Sequence, residues 1–111
     1  HLRIRKISVL RSLQDKSDMQ DLRTKLLLET KQAMRDRNKV RLGTLRVISS
    51  EFKRFEVDQR QPPVESDLIA ILEKMLKQRK DSLDKFRKAE RKDLADIEST
   101  EIAVIEEFLP A

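Results

Sequence analysis

The sequence predicts an all-α fold, a small antiparallel bundle of about four amphipathic helices with no sheet. Three observations point there. The 111 residues include one Gly and three Pro, too few turn formers for a sandwich or barrel of many short strands. Leu, Lys, Arg, Glu, Asp, Ile and Ala dominate, the palette of a helical bundle. Apolar residues also recur at three- and four-residue steps along most of the chain. Charged residues make up 41%, against roughly 25% in an average soluble protein. The 38% of hydrophobic residues still suffices for a core, and the length suits one domain rather than two.

Residues 1–18 carry five basic and two acidic side chains and open on His1. They read as a basic N-terminal extension outside the core domain: a leader or tag, a targeting remnant, or a membrane-surface helix. Ser17 or Asp18 is expected to cap a first helix from about Met19 to Arg37-Asn38. Met19, Leu22, Leu26, Thr30 and Ala33 form its apolar stripe, and Leu27 and Met34 widen it. A second helix is expected from Lys39 to Val57. At 100° per residue, Leu42, Leu45, Ile48, Phe52 and Phe55 gather on one side of it. Gly43 falls inside its first turns, which implies a close helix crossing or simple tolerance near a helix start.

Pro62-Pro63 cannot continue a helix and marks the clear break. A third helix is expected from Glu65 or Ser66 to Ala89. Asp67 stands near its positive end, and Lys85, Arg87 and Lys88 near its negative end. Leu68, Ile71, Leu72, Met75, Leu76, Leu83 and Phe86 mark its buried side. Asp93 is the expected cap of a fourth helix bearing Leu94, Ile97, Val104, Ile105 and Phe108. The two central helices hold three of the four Phe residues, so the packing centre is expected between them. Leu45, Ile48, Phe52, Leu72, Met75, Leu76 and Phe86 are expected to be deeply buried.

Much chemistry is excluded by composition. There is no Cys, and His1 is the sole histidine, so no thiolate nucleophile, zinc knuckle or histidine cluster can form. Gly43 alone cannot build a phosphate loop. No apolar run reaches the ~20 residues that span a bilayer. No catalytic residue, cofactor site or metal site is nominated.

The net charge of +5 is unevenly spread. Residues 19–61 carry +5, residues 62–73 carry −3, residues 74–92 carry +6, and residues 93–111 carry −6 with no basic residue. Lys74, Lys77, Lys80, Lys85, Arg87, Lys88, Arg91 and Lys92 form the densest basic cluster, able to neutralise phosphates. It has no interleaved aromatics for base stacking, and pairs such as Asp81–Lys85 and Asp84–Lys88 would quench part of its field. Arg35, Arg37, Lys39, Arg41 and Arg46 make a second patch around the first helix–helix turn.

Two arginines sit at apolar positions. Arg79 projects within about 20° of Leu68 and Phe86, so it snorkels at the bundle edge, pairs with an acid, or reaches an outside anion. Arg41, one turn before Leu45, has the same options.

Four ordered stretches resemble the GatB/YqeY family, in particular its stand-alone YqeY-like proteins. They are Lys39-Val40-Arg41-Leu42-Gly43-Thr44-Leu45-Arg46, Lys74-Met75-Leu76-Lys77-Gln78-Arg79-Lys80-Asp81-Ser82, Arg91-Lys92-Asp93-Leu94-Ala95 and Phe108-Leu109-Pro110. The resemblance covers about residues 19–111, with Met19 at the family's usual start. It implies a helical domain related to part of the B subunit of the glutamyl-tRNA(Gln)/aspartyl-tRNA(Asn) amidotransferase. That region helps hold tRNA, while ammonia generation and transfer occur elsewhere. Family members usually continue past Phe-Leu-Pro into a second small helical domain; residues 19–111 are expected to correspond to the N-terminal helical domain, with that tail domain missing.

The function expected from this resemblance is a non-catalytic, tRNA-associated helical module of amidotransferase-type tRNA metabolism. Its carbon–nitrogen ligase label, with glutamine as amido-N donor, is inherited from the related enzyme. Partners would be tRNA, and amidotransferase or tRNA-synthetase components. Candidate RNA- or partner-binding residues are Arg35, Arg37, Lys77, Arg79, Lys80, Lys88, Arg91 and Lys92. The alternative is a protein–protein interaction module without RNA contact. The expected location is cytoplasmic, or mitochondrial or another organelle if residues 1–18 are a targeting remnant.

Overall fold

The computed structural model describes residues 22–110. Over them the chain forms four helices: α1 (Leu22–Arg35), α2 (Lys39–Gln59), α3 (Glu65–Lys88) and α4 (Lys92–Glu106). No strand occurs among the described residues. The expected extension 1–18, the Ser17 or Asp18 cap and the Met19 start lie outside the described residues.

Turn chemistry sets the boundaries. Asn38 caps α2 with its side chain, accepting the Arg41 N–H at 3.1 Å, which satisfies one donor that the helix leaves unpaired. At the start of α3, the Val64 N–H donates to the Asp67 carboxylate at 3.0 Å. Arg37, Arg60 and Glu90 take left-handed backbone angles, with φ of 55°, 55° and 57°. Two of them close helices in the way Gly usually does: Asn38 N–H donates to Ala33 O at 3.0 Å, and Arg91 N–H to Phe86 O at 2.9 Å. Asp93 does not cap α4. Arg91 holds the cap position, and Asp93 in the first turn accepts from the Arg91 guanidinium instead.

The core joins Leu26 and Ala33 of α1, Leu45, Ile48 and Phe52 of α2, Leu68, Leu72 and Met75 of α3, and Val104, Ile105 and Phe108 at the end of α4. The packing centre is not between α2 and α3. Those two helices meet only slightly, whereas α3 and α4 pair extensively and α4 rests on α2. The Phe count misled because Phe55 and Phe86 are only half-buried, while Phe108 of the last segment is deep in the core.

Further expectations fail for the same reason. No residue from 77 to 103 belongs to the central core, so the distal α3–α4 hairpin is covered by its own partner helix and little else. Leu83, Phe86 and Leu94 are therefore half-buried, and Ile97 is 47% exposed; Leu76, also half-buried, packs against the edge of the core. Ala95 and Ile102 are buried in place of Ile97. Leu27 and Met34 are 54% and 49% exposed, because α2 and α4 cover only the Leu26–Ala33 side of α1. A Cβ placed on Gly43 would meet nothing within 4 Å, so no close helix crossing accounts for it.

Candidate nucleic-acid interface

The basic cluster builds up from the phase of α3. Residues 68, 72, 75 and 79 face the bundle; residues 77, 84 and 88 point the opposite way, with 80 and 87 on one flank and 85 on the other. Lys77, Lys80, Lys85, Arg87 and Lys88 are accordingly exposed, as are Arg91 and Lys92 across the short turn into α4. Arg87, Arg91 and Lys92 surround a shallow surface hollow of about 400 Å³ with Glu90 and Asp96 on its rim and Ala95 at its base. The hairpin turn thus gathers three cations contributed by the end of one helix and the beginning of the next.

Part of this field is neutralised locally. Lys88 Nζ lies 3.0 Å from Asp84 one turn earlier, as the sequence spacing predicts. Arg91 grips Asp93 through Nε at 3.3 Å and Nη2 at 3.2 Å. That pairing pushes the Arg91 guanidinium up and holds the Asp93 carboxyl below its usual value. Asp81 and Lys85 do not pair among the described residues. Lys77, Lys80, Lys85, Arg87 and Lys92 make no salt bridge there, so they are the cations most available to an external anion.

Arg79 is on the other side. Its Nε donates to Glu101 at 2.5 Å and lies 3.9 Å from Glu98, with the side chain only 25% exposed. Of the three options open for this arginine, the internal ion pair is the one formed. Glu98 Oε2 is buried without a hydrogen-bond partner. Burial first, and then the Glu101 charge, push the Glu98 carboxyl up, with Arg79 opposing them. Sequence reasoning missed both glutamates. Their signal was present: Glu98 and Glu101 fall three residues apart among Leu94, Ile102 and Ile105, at positions a helix turns inward.

Arg35 and Arg37 are exposed at the α1–α2 turn, on the other helical hairpin. The structure brings Lys77, Lys80, Lys88, Arg91 and Lys92 onto one hairpin and leaves Arg35 and Arg37 on its neighbour. Arg41 resembles Arg79. It is 22% exposed and paired with Glu29 at 2.8 Å and Glu107 at 2.6 Å, its guanidinium raised chiefly by the hydrogen bond to Glu107. No described helix is long and apolar enough to cross a membrane, and no described group of three His, Cys, Asp or Glu residues could hold a metal ion.

Four helices agree with the helical domain that the resemblance implies. The sequence model described as Yqey-like protein matches residues 23–111. The chain belongs to the Yqey-like family. Among relatives, an uncharacterized protein of Schizosaccharomyces pombe is 36% identical over 89 residues, 80% of this chain and 69% of that protein. The "Altered inheritance of mitochondria protein 41, mitochondrial" of Clavispora lusitaniae is 38% identical over 88 residues, covering 79% of this chain and 51% of its own length. The protein of the same name from Pyrenophora tritici-repentis is 30% identical over 84 residues, 76% of this chain and 46% of its own. This Yqey-like chain spans about half the length of those two mitochondrial relatives.

Proposed function

We propose that this chain is a non-catalytic Yqey-like module that contacts tRNA phosphates through the basic turn between α3 and α4. The single observation that carries the reading is the group of exposed cations from Lys77 to Lys92 on one hairpin, five of which (Lys77, Lys80, Lys85, Arg87 and Lys92) make no salt bridge among the described residues. The tRNA-holding role comes from the amidotransferase region that the family resembles. Carbon–nitrogen ligase chemistry with glutamine as donor belongs, on this reading, to an amidotransferase partner and not to these helices. Arg79 is committed to Glu101 and Glu98 and is left out of the contact set; Arg35 and Arg37 form a second, separate patch. The mitochondrial names of the Clavispora lusitaniae and Pyrenophora tritici-repentis relatives favour the organelle alternative, with residues 1–18 as a targeting remnant.

Phosphate contacts position a protein without reading bases, so binding should be weak, little dependent on sequence and steeply dependent on salt. The test is titration of the chain with tRNA and with an unrelated RNA duplex at several salt concentrations. Affinity that falls as salt rises supports the basic-turn reading. No binding to tRNA at low salt would exclude it and leave the protein–protein module.

A further inference from the structure

We infer that the groove between α1 and α2, which no α4 residue lines, is a docking site for an acidic amphipathic helix of a partner protein. The inference concerns a different surface from the basic turn and does not depend on the tRNA reading.

The groove has a volume of about 330 Å³, and the buried Leu26 and Phe52 form its floor. Its α1 wall is apolar and unfinished: Leu27 lines it and is 54% exposed, and Met34, seven residues later on the same side of the helix and beyond the groove's lining, is 49% exposed. Its α2 wall is basic. Arg46 and Lys53, also seven residues apart, both line the groove or its edge and are exposed. Neither makes a salt bridge among the described residues. At the open end Arg23 pairs with Glu56 at 3.2 Å, which leaves Arg46 and Lys53 as the unneutralised charges.

Two facing stripes with one seven-residue repeat, one apolar and one cationic, match what a third helix of a coiled coil requires. Its apolar seam would cover Leu27 and Met34, and its flanking positions would place acids opposite Arg46 and Lys53. α1 is 14 residues long, so a helix of about four turns would fill the groove. RNA would satisfy the cations but leave both apolar side chains uncovered. A second copy fits poorly: the outward side of its acidic α4 offers Ile97 as its one large exposed hydrophobic.

The test titrates the full chain with a labelled synthetic helix bearing Leu at the seam and Glu at the flanks, and with its counterpart carrying Lys for Glu. Fluorescence anisotropy should show one-to-one binding of the acidic peptide only. Leu27→Glu should weaken it roughly tenfold or more, and Arg46→Glu with Lys53→Glu should switch preference to the basic peptide. All three positions are exposed, and circular dichroism of each variant checks whether it remains helical; should Leu27→Glu unfold, the charge-switch variant still decides. Equal binding of both peptides, no binding of the acidic one up to about 1 mM, or insensitivity to both variants overturns the inference. Self-association in sedimentation that Leu27→Glu abolishes assigns the groove to a second copy. Loss of tRNA affinity in Leu27→Glu assigns it to RNA. Either result also overturns it.

Discussion

The Arg41 guanidinium holds both carboxylate oxygens of Glu107, 66 residues further along the chain, at 2.6 and 3.2 Å. The same group reaches Glu29 of α1 at 2.8 Å. One side chain near the start of α2 therefore ties α1 to the segment that ends α4. Lys25 reinforces the junction, donating to the Glu107 carbonyl and lying 5.1 Å from the Phe108 ring, within cation–π range.

Arg41→Ala should lower stability by about 1–2 kcal/mol, a figure reduced for the partial exposure of both carboxylates. Arg41→Lys should recover less than half of the loss, because an ammonium cannot grip two carboxylates in a fixed plane. Urea denaturation of the three proteins measures both effects, and the wild-type advantage should shrink in high salt.

Phe52→Ala should cost about 3–5 kcal/mol, a large share of the stability of a small domain. Phe86→Ala should cost clearly less, because the α3–α4 hairpin covers only one side of that ring. Equal losses on thermal melting would mean that the distal hairpin is buried more deeply than the structure places it.

Glu98 gives a pH-dependent prediction. Its carboxyl is raised above the usual 4.5, so the folded state holds that proton more tightly than the unfolded chain does. The stabilisation is full below the unfolded value and is lost as pH rises through the folded one. Glu98→Gln should therefore raise the Tm near about pH 7 and leave it unchanged near about pH 4. Arg79→Leu should destabilise at neutral pH, because it leaves Glu98 and Glu101 facing each other without a cation.

Backbone swaps at two exposed sites should both stabilise. Gly43→Ala removes the entropic cost of Gly within α2 at a position with open space around it, for a gain of about 0.5–1 kcal/mol. Glu90→Gly relieves a left-handed non-Gly residue and should gain up to about 1 kcal/mol. Denaturant midpoints of the two single variants are the measure.

Changing Lys88, Arg91 and Lys92 together to Glu should weaken tRNA binding without altering helicity. For every phosphate that the variant no longer neutralises, the logarithmic salt slope should fall by roughly 0.7–0.9. Unchanged affinity in that variant would remove the basic turn as the contact surface.

The sequence by itself determined the fold class, the break at Pro62-Pro63, the family and the outward row of cations. These depend on local rules: helical period, proline geometry, and the phase that turns Lys77, Lys80 and Lys88 away from Leu72 and Met75. Tertiary structure decided what period alone leaves open. Leu26 and Leu27 are neighbours in one apolar stripe, yet only the first is buried in the core, because a stripe's width does not say how much of it a partner helix covers. Phe52 and Phe86 read alike, and their burial differs because α4 rests on α2 beside one and not the other. The placement of Arg79 and Arg41 at apolar positions was legible, but Glu101, Glu98, Glu29 and Glu107 were not legible as their partners. An ion pair between distant helices depends on how those helices cross, and that crossing follows from side-chain packing over the whole core.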